Sequence, residues 1–218
     1  IRKKVFPKIQ NKATRMLLMM PMVNKKVKEK IRAMVMEVFG GNAYEVMTGG
    51  AALNKEIEDF LTGIDFPITS GYGATETGPM ITYSDYKDFC PGSCGTPVVN
   101  MEVKIASPDP AGIPGEILAR GENVMLGYYK NVEATEAVLD ADGWYHTGDL
   151  ATMSEDGHVF VRGRIKNMLL GSNGQNVYPE EIEDRLNSMT MVSESVIIQR
   201  GNELVGLVYP EMEEAKEM

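Results

Sequence analysis

Residues 69–78 read Thr-Ser-Gly-Tyr-Gly-Ala-Thr-Glu-Thr-Gly, the densest grouping of reactive side-chain types in the chain. Gly71 and Gly73 let backbone come close to a ligand, and Tyr72 between them offers a flat apolar face suited to stacking on a purine. Thr75 and Glu76 add a hydroxyl and a carboxylate, hard oxygens that suit phosphate contact and Mg²⁺. A glycine-rich turn with an incidental acid reads much the same, so this block needs company.

Three further blocks supply it. Residues 48–53, Thr-Gly-Gly-Ala-Ala-Leu, follow an expected strand and precede an expected helix, where Gly49, Gly50 and Ala51 present backbone to a flat ring. Residues 143–150, Gly-Trp-Tyr-His-Thr-Gly-Asp-Leu, put Asp149 after Gly148. A carboxylate on a tight turn can accept the two hydrogen bonds that vicinal ribose hydroxyls donate, or simply cap the turn. His146 in the same block fits a general base less well than a structural hydrogen-bonder. The last block, residues 163–183, carries the cations Arg164 and Lys166 and a loop containing Gly171 and Gly174, which a slender ligand could pass closely.

The elements that must hold these residues can be read from periodicity and turn residues. Val23, Val27, Ile31, Met34, Val35 and Val38 recur at helical spacing, ending at Gly40 and Gly41. Strands are expected over residues 44–47 and 66–69, with a helix over 54–61 between them, an order that indicates a parallel α/β layer. Alternation at Met101, Val103 and Ile105, then over residues 115–120 and 159–162, indicates a small antiparallel barrel or curled sheet. Beyond Arg164, a short strand over residues 168–170 and a glycine loop lead to a helix opened by Pro179, Glu180 and Glu181. Strands at 196–198 and 204–208 close the pattern. The boundaries expected are residues 1–90, 91–163 and 164–218.

Composition narrows the function classes. With 43% hydrophobic and 24% charged residues among 218, the chain is of ordinary globular make-up. Its net charge of −9 is unevenly spread: residues 1–40 hold 11 of the 22 Lys and Arg but two acids, a net +9, which leaves −18 elsewhere. Nucleic-acid binding over the whole surface does not fit that balance. The basic strip suits an anionic membrane surface, although packing on its own domain is the commoner use of such a helix. No apolar run is long enough for a spanning helix, the longest stretching over residues 16–23 and containing Pro21. Cys90 and Cys94 complete neither a disulfide framework nor a zinc set, so free thiols and a cytoplasmic location are expected, peripheral to the inner face of a membrane if the strip meets lipid.

Taken in order, the four blocks resemble the adenylate-forming superfamily of acyl-CoA synthetases, peptide-synthetase adenylation domains and luciferases. The likeness runs from about Thr48 to Ile198. The Gly-Gly-Ala-Ala-Leu block, the Gly-Glu-Asn-Val-Met-Leu-Gly-Tyr-Tyr-Lys block at residues 121–130 and Gly-Arg-Ile-Lys-Asn-Met look most like long-chain fatty acyl-CoA ligases. The resemblance implies a multi-subdomain fold of α/β and α+β character. It would comprise the distal part of the large AMP-binding domain, an α/β layer with a small β-barrel, followed by the start of a small carboxy-terminal domain. It implies ATP and CoA as substrates with a fatty acid, Mg²⁺ as the metal, and a catalytic pair in which Thr75 meets phosphate and Glu76 holds the metal. Gly49, Gly50, Ala51, Tyr72, Gly73, Asp149 and Arg164 would hold the nucleotide. Lys166 would be the hinge of a rotating domain, and Gly171 and Gly174 would line the path of CoA.

Two elements of the family pattern are missing from the 218 residues: a Ser/Thr/Gly-rich phosphate loop with its Lys, and a late lysine in a Gly-Lys setting. Lys216, in an acidic tail, has neither the context nor the distance. The expectation is therefore an interior piece of a larger ligase, unable to form an adenylate alone. Two other readings stay open at this point: an adenylation domain that loads a carrier protein, and a non-catalytic nucleotide-binding module.

Overall fold

A computed structural model describes residues 25–171, 174–189, 191–201 and 203–212. The first half of the basic strip, with Pro7 and Pro21, lies outside them. Its second half is helix α1 (Lys25–Val38), which buries Ile31 and Val35 while Met34 and Val38 face outward. Ile31 and Val35 meet Leu61, Ile64, Phe66 and Ile68, so this part of the strip packs on its own domain. Among the described residues no helix is long and apolar enough to cross a membrane.

The α/β layer has the expected order. Strand β1 (Val46–Thr48) leads through the Gly49–Gly50 turn to helix α2 (Lys55–Gly63) and then to β2 (Ile68–Ser70), which runs parallel to β1. Asn54 fixes the start of α2 because its side-chain oxygen accepts the N–H groups of Glu56 and Ile57. The chain then leaves β2 directly into β3 (Tyr72–Gly73), a short helical turn at Thr75–Thr77, and β4 (Met80–Tyr83), with β5 (Thr96–Pro97) beyond it.

A four-stranded antiparallel sheet follows, in the order β6 (Met101–Ala106), β7 (Gly115–Gly121), β8 (Tyr145–Met153) and β9 (Val159–Arg164). Of the two shapes expected, barrel or curled sheet, the pairings among the described residues record an open order of neighbours. A short helix α3 (Val132–Glu136), capped by Asn131, lies between β7 and β8. Ile105, Ile117, Ala151 and Val159 form one apolar cluster of this region, and Ile81, Met101 and Ala119 form a second. Tyr72 packs against both, which ties the loop that carries it to the sheet.

After Arg164 come a helical turn at Ile165–Asn167, the hairpin β10 (Leu169–Leu170) and β11 (Asn176–Val177), helix α4 (Pro179–Asn187), and the long hairpin β12 (Val192–Arg200) and β13 (Glu203–Pro210). Pro179 opens α4, and Glu180 and Glu181 sit in its first turn, as composition predicts. The β12–β13 ladder is longer than the apolar runs suggested. It continues through Ser195, whose hydroxyl donates to Asn187 Oδ1 at 2.9 Å and so joins the ladder to α4.

Cys90 and Cys94 are free and half-buried, and burial raises the Cys94 thiol above its ordinary value.

Candidate functional site

The carboxyl ends of two adjacent parallel strands are where an α/β sheet offers room for a ligand. Here β1 runs out into Gly49, Gly50 and Ala51, all exposed, while β2 runs out into Gly71 and Tyr72. The loops touch: Gly71 N–H donates to Thr48 O at 2.9 Å, and a side chain at Gly49 would meet Gly71 O at 3.4 Å. Two blocks that are twenty residues apart in sequence thus become one edge.

The third block arrives from the other side. Tyr72 Oη donates to Asp149 Oδ2 at 2.7 Å, across 77 residues of chain. Arg164 Nε forms an ion pair with the other carboxylate oxygen at 3.0 Å, since Asp149 and Arg164 are direct partners in the β8–β9 ladder. Each carboxylate oxygen has two acceptor positions, so Asp149 keeps one on each oxygen for further donors. Burial, and then the Asp149 carboxylate, push the Tyr72 hydroxyl far above its ordinary value, so it remains a donor.

Glu76 completes the cluster through residues that the sequence reading left without a role. Tyr128 Oη donates to Glu76 Oε1 at 2.8 Å, and this bond is the main reason that the carboxyl lies below its usual range. Tyr145, buried at 5% exposure, and the Arg164 cation lower it further. The same segment grips the loop at two more points. Met125 N–H donates to Glu76 O at 2.7 Å, and Asn123 Nδ2 donates to Thr77 O and Met80 O at 2.6 and 2.9 Å. Thr75 sits exposed at the start of the turn that this clamp holds.

Chain packing explains the glycine at position 73. A Cβ there would lie 1.8 Å from Pro79 O, because β3 and β4 fold back on each other through that point. No side chain fits without moving backbone.

The remaining candidates sit elsewhere. Lys166 is exposed on the Ile165–Asn167 turn immediately after Arg164. Gly171 and Gly174 lie between β10 and β11, with Gly174 N–H donating to Gly171 O at 2.8 Å, and β10 is joined to the β12–β13 layer where Gln199 Nε2 donates to Leu170 O at 3.0 Å. His146 lies outside the Tyr72–Glu76 cluster, with Nδ1 3.0 Å from Glu116 Oε2.

Among the described residues no group of three or more His, Cys, Asp or Glu could hold a metal ion, and Glu76 supplies a single carboxylate. The arrangement brings together an aromatic ring, a partly committed aspartate, an exposed guanidinium and a clamped glutamate.

Comparison with known proteins identifies the family. The sequence profile described as AMP-binding enzyme matches residues 5–129, more than half of the chain. The chain belongs to the AMP-binding enzyme family. This family member is 39% identical over 174 residues to 4-coumarate–CoA ligase 1 of Glycine max, covering 74% of this chain and 59% of the relative. It is 34% identical over 180 residues to the long-chain-fatty-acid–CoA ligase FadD15 of Mycobacterium bovis, covering 83% and 28%. The match thus spans less than two thirds of the length of either relative.

Among solved structures, the AMP-binding fold seen here is shared with O-succinylbenzoate coenzyme A synthetase (MenE) of Bacillus subtilis. In complex with AMP that protein gives a TM-score of 0.69 at 25% identity, covering 84% of this chain and 40% of its own. In complex with ATP and magnesium ion it gives 0.68 at 27% identity, with the same coverage.

Proposed function

We propose that this chain holds the nucleotide for an ATP-dependent acid–CoA ligase whose acid is a long-chain fatty acid. The observation that carries the reading is the hydrogen bond from Tyr72 to Asp149, which joins an aromatic ring and a carboxylate with spare acceptor positions at one edge. Adenine rests on the Tyr72 ring between the Gly49–Gly50 turn and β3. The ribose hydroxyls donate to Asp149, and Arg164 neutralises that carboxylate. Thr75 contacts the phosphates.

The donor set near Glu76, one carboxylate and one hydroxyl, fits a Mg²⁺ that keeps most of its shell as water and phosphate oxygen. Bound there, the ion would offset charge on the phosphate oxygens. In the first step a carboxylate oxygen of the acid attacks the α-phosphorus and pyrophosphate leaves, with the developing charge met by fixed donors. In the second, the CoA thiol attacks the acyl carbon, its proton is lost, and AMP leaves. The mixed anhydride between them needs protection from water, a need that rotation about Lys166 would serve, with Gly171 and Gly174 passing CoA.

The fatty-acid assignment is supported by the likeness to FadD15 and by the block at residues 121–130, whose Asn123, Met125 and Tyr128 hold the glutamate loop. A second reading, an aromatic acid, is favoured by the 39% identity to a 4-coumarate ligase. Supplying the whole protein with ATP, Mg²⁺, CoA and either palmitate or 4-coumarate separates them. Palmitoyl-CoA and AMP are the expected products; turnover of 4-coumarate alone moves the substrate class to aromatic acids, and turnover of neither overturns the ligase reading.

The clamp on Glu76 gives a sharper prediction. Tyr128→Phe removes the donor and keeps the ring. It should weaken the Mg²⁺ dependence of ATP binding about fivefold, the worth of about 1 kcal/mol for one hydrogen bond at a half-exposed site. AMP binding without metal should be unchanged. Isothermal titration of ATP at graded Mg²⁺ measures both.

A further inference from the structure

The turn that presents Asp149 is an interruption of the sheet. Glu116 on β7 pairs with Leu150 on β8, and Leu118 pairs with His146. One residue of β7, Ile117, therefore faces three of β8: Thr147, Gly148 and Asp149. Such a bulge re-aims a side chain at the cost of ladder hydrogen bonds. Gly148 adopts φ +71 at its centre, a conformation in which most other residues are strained.

Side chains replace the lost ladder bonds. Thr147 Oγ1 donates to Ile117 O at 2.9 Å and accepts Asp149 N–H at 3.0 Å. Gly148 N–H, directly before Asp149, donates to Glu116 Oε1 at 3.0 Å. The other oxygen of that carboxylate faces His146 Nδ1 at 3.0 Å, and His146 Nε2 lies 3.7 Å from Asp140 Oδ2. Glu116 thus spans the bulge, holding the residue on each side of Thr147.

We infer that Glu116 is a positioning residue for ribose recognition: it acts through the Gly148 N–H to fix the direction of the Asp149 carboxylate. The inference rests on the proposed role of Asp149 as the ribose acceptor. Glu116 touches no nucleotide atom itself. Its contribution is to keep both free acceptor positions of Asp149 pointing the same way, so that two hydroxyls are met at once.

The test compares AMP with 2′,3′-dideoxy-AMP, which lacks both hydroxyls, by calorimetric titration. The unaltered protein should prefer AMP by about a hundredfold, the worth of two hydrogen bonds to a carboxylate. In Glu116→Ala that preference should fall to about threefold, while binding of the dideoxy nucleotide stays within about twofold, a pattern that general destabilisation does not produce. Glu116→Gln keeps an acceptor for Gly148 and should retain at least about a third of the preference. A folded Glu116→Ala that keeps the full preference overturns the inference. So does a Glu116→Gln that loses all of it, which decides the matter even if the alanine variant fails to fold. If the unaltered protein shows no preference, the ribose role of Asp149 fails first, and the inference with it.

Discussion

Asp149→Ala should weaken AMP binding about a hundredfold, the largest effect of any single side chain at the site. The carboxylate is 8% exposed and meets Tyr72 and Arg164. Two hydrogen bonds from ribose to a carboxylate are worth about 3 kcal/mol together. Removing the acceptor also leaves the Tyr72 hydroxyl without its partner. Asp149→Asn keeps one oxygen and should cost about tenfold, because one acceptor and the charge are lost. Tyr72→Phe keeps the ring and should cost only about threefold, the smaller end of a single hydrogen bond. That ranking, alanine far below asparagine and asparagine below the phenylalanine at position 72, separates ribose recognition from a mere loss of packing. Equal affinity for AMP in all three would remove Asp149 from the site.

The second large effect is expected at Gly73. An added methyl meets backbone, with Pro79 O at 1.8 Å, Pro79 C at 2.8 Å and Met80 Cα at 3.0 Å. None of these can yield as the end of a flexible side chain would. The opposing segment is also tied down, since Thr77 Oγ1 donates to Pro79 O at 3.0 Å while accepting Ala74 N–H at 3.2 Å. Gly73→Ala should therefore separate β3 from β4 at a cost of about 3 kcal/mol, the upper range for an overpacked position. Because Tyr72 is the preceding residue, nucleotide affinity should fall at least about tenfold in protein that still folds. Gly63→Ala is the control. It lies at the end of α2 with open space around it, and should be neutral or slightly stabilising. Urea denaturation of the two variants, followed by nucleotide titration, measures the contrast.

The sequence revealed the local parts of this fold and few of the distant ones. Pro179 with Glu180 and Glu181 opening α4, and Gly40 after α1, each state their role within four residues, because caps and turns act over that range. Tyr72 and Asp149 were legible as chemistry, a ring between glycines and an acid on a turn. Their direct bond was not, since 77 residues separate them. Tyr128 belonged to a recognised block but had no visible purpose until folding brought it 2.8 Å from Glu76, 52 residues earlier. Glu116 was hidden for another reason. Alternation of apolar and polar residues marks a strand, yet it carries no sign of a bulge, and only the register of β7 against β8 shows where the extra residues go. The long ladder of β12 was likewise shortened to three residues in prediction because Glu194, Ser195 and Gln199 interrupt its apolar run.

One structure determination bears most directly on all of this: crystals of the protein grown with AMP. The nucleotide should lie with its base against the Tyr72 ring and both ribose hydroxyls within hydrogen-bond reach of the Asp149 carboxylate. Density for AMP at any other surface, or a base bound there with its sugar turned away from Asp149, would contradict the account.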